Sequence, residues 1–168
     1  DMVRNLAAVA ELPEMPNVNV VALVDLPERD DPGAPTATLP GVGDFTTAKL
    51  LKLEGGRYNE IRDLGEVSMG RPDVLAGFIE EVADRFPAGK YGLVLSDHGG
   101  AYMGGYQDTG PPGTTMMSVE DMRIGMLAGM QRAGIDRFEM LDHDSCLMSS
   151  YEVASALAPL AKTMVGSE

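Results

Sequence analysis

Two stretches decide how this chain folds: Gly92-Leu93-Val94-Leu95-Ser96-Asp97-His98-Gly99-Gly100 and Met140-Leu141-Asp142-His143-Asp144-Ser145-Cys146-Leu147-Met148. Each starts as a short apolar run and ends in polar residues able to do chemistry. A run buried on both faces reads as a strand of a parallel sheet lying under helices. Strands are predicted at Tyr91–Ser96 and Phe138–Leu141, with others at Val18–Val24 and Thr163–Val165. Helical spacing fills the gaps. Met2, Leu6, Val9 and Ala10 mark a helix over 2–12, closed by Pro13 and Pro16. Pro72 opens a helix to about Phe86. Ser118 with Asp121 caps one that runs to Ala133, where Gly134 ends it. Ser149 with Glu152 caps another, ending near Leu157. Strands alternating with helices mean parallel strands joined by right-handed crossovers. Leu26–Gly41 is a proline-rich acidic loop, and 42–69 is an excursion holding a hairpin at Gly55-Gly56. His98–Gly113 reads as a glycine-rich loop. Met122, Met126 and Met130 fall at i, i+4 and i+8, a stripe expected to pack in the core.

The composition narrows the function. A chain of 168 residues is one domain's worth. Its 26 acidic and 13 basic residues leave a net charge of −13, which disfavours a nucleic-acid backbone or an anionic membrane surface and would draw in a cationic substrate. One cysteine forms no internal disulfide, and two histidines form no histidine-rich metal site. No apolar run is long enough to span a bilayer. No signal peptide is read in the chain, which begins inside a helical pattern.

In parallel sheets, ligands bind beyond the carboxyl ends of the strands. If the two quoted strands are neighbours, their ends lie about 5 Å apart, and His98 and Cys146 meet across 48 residues of sequence. Cys146 precedes a helix start, whose partial positive charge lowers a thiol's pKa. The plainer reading of a lone cysteine is a small buried hydrophobe. Alternation along an extended segment puts Asp144 and Cys146 on one face and His143 on the other. His143 is therefore expected to make a structural contact. Gly99 and Gly100 after His98 permit close backbone approach, as an oxyanion hole requires, or simply make a turn. A cysteine phosphatase needs Arg six residues after its cysteine, and Glu152 stands there. No phosphate-binding loop, H-E-x-x-H or EF-hand pattern is present.

The pairing of a hydrophobic block ending in His98-Gly99 with a second ending in Asp144-Ser145-Cys146 resembles the clostripain family of cysteine peptidases, relatives of caspases, legumains and gingipains. Leu147-Met148, Glu152-Val153-Ala154, Val165-Gly166-Ser167-Glu168 and Asn17–Asp25 extend the likeness. The resemblance implies an α/β fold: a three-layer, caspase-like sandwich with a mainly parallel central sheet. Residues 1–168 would be a single peptidase domain lacking its first strand, with an excursion at about 26–71.

The implied function is a cysteine endopeptidase of a bacterial type, cutting after Arg or Lys. Cys146 would be the nucleophile and His98 its partner. The Gly99 and Cys146 amides would form the oxyanion hole. Asp144 would floor the S1 pocket for the residue before the cut, P1, with Glu168 on its wall. Substrates would be peptides or proteins with a basic P1 residue, and the setting secreted or periplasmic. No cofactor is required by the sequence; some family members need calcium, although no metal site can be read here. Ser145 departs from the family's usual alanine and is expected to add a hydroxyl near the pocket. Two alternatives stand beside this reading: a non-catalytic caspase-like binding or regulatory domain, and a flavodoxin-like α/β binding domain with an incidental cysteine.

Overall fold

Ser118 and Gly134 show how locally the folding signals act. In the computed structural model, which describes residues 2–26, 38–110 and 113–168, Ser118 accepts from the Asp121 amide while the Asp121 side chain accepts from the Ser118 amide. This reciprocal box opens α3, Val119–Ala133, and Gly134 closes it in the left-handed conformation, φ 67°. Pro27 to Ala37 of the proline-rich loop lie outside the described residues, as do Pro111 and Pro112.

The chain divides into two compact units, Asp1–Val67 and Ser68–Glu168. The first contains α1 (Met2–Ala10) and three antiparallel strands in the order β1 (Val20–Val24), β2 (Lys49–Glu54), β3 (Arg57–Asp63). Gly55 and Gly56 both take positive φ, the requirement of the two-residue hairpin turn between β2 and β3. Val24, Leu51 and Tyr58 anchor this unit's core, and the Tyr58 hydroxyl donates to the Leu6 carbonyl at 2.9 Å. One expectation fails here: Val18–Val24 does not join a parallel sheet, because β1 pairs antiparallel with β2. The physical reason is burial. Only Val24 of the strand is fully buried, so the run is not covered on both faces. A run of valines carries no mark of the partner it will choose.

The second unit holds the parallel sheet. Its order is β4 (Gly92–Ser96), β7 (Phe138–Asp144), β8 (Ala161–Gly166). Both pairings are parallel, with Ser96 opposite Asp144 and His143 opposite Gly166. Helices α3 and α4 (Tyr151–Leu157) supply the crossovers, and α2 (Pro72–Arg85) precedes β4. Leu93 and Leu141 face a core made with Met122, Met126, Val153 and Leu157, so the methionine stripe packs inward as its spacing implies. Two glycines of α3 set its distance from α2. A Cβ at Gly125 would come 2.8 Å from the Pro72 carbonyl, and one at Gly129 would come 2.8 Å from Ile79 Cβ.

The glycine-rich stretch is not the plain loop its composition suggests. It folds into a short antiparallel hairpin, β5 (Gly105–Asp108) and β6 (Thr115–Met117), with the register broken at Tyr106. Here Tyr106 takes φ 60°, a bulge conformation that composition does not announce.

Candidate active site

Three strand ends lie side by side at the carboxyl edge of the parallel sheet. His98 is two residues past β4, Cys146 two past β7, and Glu168 two past β8. Because β7 is the middle strand, Cys146 lies between the other two. The adjacency expected of the two quoted stretches is therefore present. It is tightened by Gly99, where any side chain would overlap the Cys146 carbonyl and approach Met148 Cγ to 2.8 Å. The main chain after His98 thus packs directly on the main chain of Cys146, a contact only glycine allows.

Local geometry exposes the candidate dyad. Cys146 and His98 are both exposed. Gly99 bridges Gly105 through the Gly100 amide to the Gly104 carbonyl, 2.6 Å, and the Tyr106 amide to the His98 carbonyl, 2.8 Å. Neither bond uses the Gly99 amide. Leu147, next to the thiol, is held at φ 66°, an uncommon conformation for a branched residue.

The helix after Cys146 starts later than expected. Ser150, not Ser149, is the N-cap, accepting from the Val153 amide. Ser149 instead sits in the turn and donates its amide to the Ser167 carbonyl at 3.1 Å. Cys146 is then four residues before the cap, beyond the first turn in which a helix dipole acts strongly. Activation of the thiol by that helix loses weight accordingly.

Alternation along β7 holds to its end. His143 and Ser145 are buried, while Asp144 and Cys146 are exposed. Asp144 accepts from the Ser96 hydroxyl at 2.8 Å across the strand pair. It is not the buried carboxylate that a closed pocket floor would contain: it is the last residue of the strand and projects at the sheet's open edge. Asp142, one step back on the same face, was missed, although the same period of two marks it. Burial, and then the charge of Asp144, raise its carboxyl above the ordinary range.

His143 faces the interior, as alternation requires. Its Nδ1 lies 2.5 Å from the Tyr106 hydroxyl, which is also 2.9 Å from Ser145 Oγ. The Ser145 hydroxyl is thus buried beneath the strand and does not face the pocket, contrary to expectation, because residue 145 alternates with 144 and 146. His143 Nε2 is buried with no hydrogen-bond partner among the described residues. An unpaired acceptor is tolerated better than an unpaired N–H, which places the proton on Nδ1, donating to Tyr106. Burial pushes the His143 ring down to about 4, so it is neutral, and burial raises the Tyr106 phenol.

A depressed imidazole pKa means that the unfolded chain takes up the proton first. Stability from this group is full above its ordinary 6.5 and drains as pH falls toward about 4. The loss is on the order of 3 kcal/mol. Urea midpoints measured at pH 7 and pH 4.5 are expected to fall more steeply for the wild type than for His143→Gln. Equal pH dependence in the two proteins would contradict the neutral, buried assignment.

Among the described residues, no three His, Cys, Asp or Glu side chains converge as a metal site. Calcium takes six to eight oxygens, and no carboxylate cluster that would begin such a set is found among the described residues. No described helix is long and apolar enough to cross a membrane.

The comparisons with known proteins agree with this architecture. A profile of the clostripain family matches residues 6–168, and the chain belongs to that family. Clostripain of Hathewaya histolytica is 26% identical over 170 residues, 87% of this chain and 30% of its own length. Two structures of a secreted C11 cysteine protease from Bacteroides thetaiotaomicron share the α/β, caspase-like fold. One, in complex with an irreversible peptide inhibitor, has a TM-score of 0.59 at 22% identity, over 68% of this chain and 33% of that one. The other, called iotapain, has 0.57 at 20% identity, over 73% of this chain and 39% of that one. The present chain thus spans about a third of the length of these relatives. Family membership removes the flavodoxin-like alternative.

Proposed function

We propose that the chain carries the catalytic dyad of a cysteine endopeptidase that cuts after Arg or Lys. One observation supports this above all: His98-Gly99 and Cys146 follow adjacent parallel strands and pack main chain to main chain. The Cys146 thiol passes its proton to His98, and the resulting thiolate attacks the scissile carbonyl. The negative oxygen of the tetrahedral adduct is held by the Gly99 and Cys146 amides. His98 gives its proton to the leaving amine as the adduct collapses to a thioester. It then takes a proton from the water that attacks the thioester, and returns that proton to Cys146 Sγ as the second adduct expels the sulfur and releases the carboxylic acid.

Asp144 is the carboxylate that meets a basic P1 side chain, with Asp142 beside it on the same strand face. Glu168, across β7 from His98, adds negative charge on the far side. The net charge of −13 favours the approach of such substrates. In this reading residues 1–168 act as one peptidase domain, including the excursion at 26–71. The family profile, which matches residues 6–168, supports that reading. The Bacteroides relatives are described as secreted, and the same setting is proposed here. A non-catalytic role has no observation in its favour, since both dyad residues are present and exposed.

Matched peptide amides differing only at P1 test the specificity. Hydrolysis is expected to rank Arg above Lys, and both far above Ala, because a guanidinium bonds a carboxylate through two N–H groups. Equal rates on the three would contradict an acidic pocket.

A further inference from the structure

On the buried face of β7, directly under the candidate nucleophile, Tyr106 joins the two halves of the site. Its amide donates to the carbonyl of His98 at 2.8 Å. Its hydroxyl lies 2.9 Å from Ser145 Oγ, the residue before Cys146, and 2.5 Å from His143 Nδ1. Its ring stacks on that of His143, with centroids 6.0 Å apart. All three side chains are buried. Tyr106 makes these bonds from a left-handed backbone, φ 60°, which an aromatic residue adopts at a cost. The strain persists because the amide and the hydroxyl are both held, at opposite ends of one residue. Leu147, on the other side of the thiol, is left-handed as well.

We propose that Tyr106 is a positioning residue that ties the segment carrying Cys146 to the segment carrying His98. The inference rests on the dyad reading above. The phenol holds Ser145 against the hairpin, and Ser145 holds the Cys146 amide and Sγ at the height of the His98 ring and the Gly99 amide. A thiol and an oxyanion donor must be placed to within a fraction of an ångström, and a misplacement near 1 Å costs up to about 10²-fold.

Tyr106→Phe keeps the ring, its burial and the backbone, and removes the hydroxyl bonds. On an Arg peptide amide, kcat per active site, counted by titration with an irreversible Arg-directed peptide inhibitor, is expected to fall at least about 10-fold. KM should stay within about two-fold. Alkylation of Cys146 by iodoacetamide, which needs no oxyanion hole, should change little. Ser145→Ala should lower kcat through the same contact, and the double variant should lose no more than the worse single one. A structural role alone would lower Tm and the number of titratable sites, with kcat per site unchanged; that result overturns the proposal. So do fully additive losses in the double variant; if Tyr106→Phe folds poorly, an unchanged kcat per site in Ser145→Ala overturns the proposal by itself. Wild-type enzyme that neither hydrolyses the peptide nor takes the inhibitor on Cys146 would remove the dyad reading, and this inference with it. Active wild type with unaffected variants removes the inference alone.

Discussion

Cys146→Ala is expected to abolish peptide hydrolysis, and His98→Ala to lower kcat by at least about 10²-fold. The two losses arise differently. Without the sulfur no thioester forms, and only binding and the oxyanion amides remain. Without the ring the amine must leave unprotonated, although attack by the thiolate is still possible. His143→Gln is the control that chooses between the histidines. It lies on the opposite face of β7 from Cys146, and its ring is neutral and buried. Its removal should cost no more than a few-fold in kcat, since the glutamine amide can still face the Tyr106 hydroxyl. Steady-state rates on one Arg peptide amide decide the matter. A larger loss at His143 than at His98 would show that proton transfer runs through the buried face.

Asp144→Asn should lower kcat/KM for Arg substrates by roughly 30-fold, about 2 kcal/mol, and leave an Ala substrate almost unchanged. This lies at the low end for an interfacial charge pair, and the reason is visible. Asp144 is exposed in the free chain and already accepts from Ser96. Its desolvation begins only when substrate covers it, so part of the attraction to a guanidinium is spent on displacing water. Asp142, with its carboxyl raised by burial and then by its neighbour's charge, becomes easier to ionise once Asp144 is neutralised, which softens the loss. The measurement is a matched pair of Arg and Ala peptides against both enzymes. Equal losses on the two would assign Asp144 to support of the strand end through Ser96, with Glu168 the next candidate for the pocket.

Signals carried by neighbours in sequence were legible in advance. Ser118, Asp121 and Gly134 bound α3 through contacts within one turn. The alternation of His143, Asp144, Ser145 and Cys146 follows from strand geometry alone. The two apolar runs ending in His98 and Cys146 proved adjacent because consecutive strands joined by a helical crossover usually are. Other features depend on distant partners. Val20–Val24 could have joined either kind of sheet, and the choice is made by Lys49–Glu54, some 30 positions on. Ser149 and Ser150 are equally good caps by type. The choice falls to Ser150 because the Ser149 amide bonds Ser167 at the end of the next strand. Tyr106 gave no signal at all among its glycines, since its partners are 37 and 39 residues away.

The central claim is that Cys146 is a nucleophile served by His98, and covalent labelling tests it most directly. The enzyme is treated with an irreversible peptide inhibitor bearing Arg at P1, and the adduct is located by mass spectrometry of the digested chain. One inhibitor per chain on Cys146 is predicted, formed far faster than with a free thiol in solution, and slowed at least about 10²-fold by His98→Ala. Labelling of Cys146 no faster than a free thiol, or at the same rate with and without His98, would contradict the account.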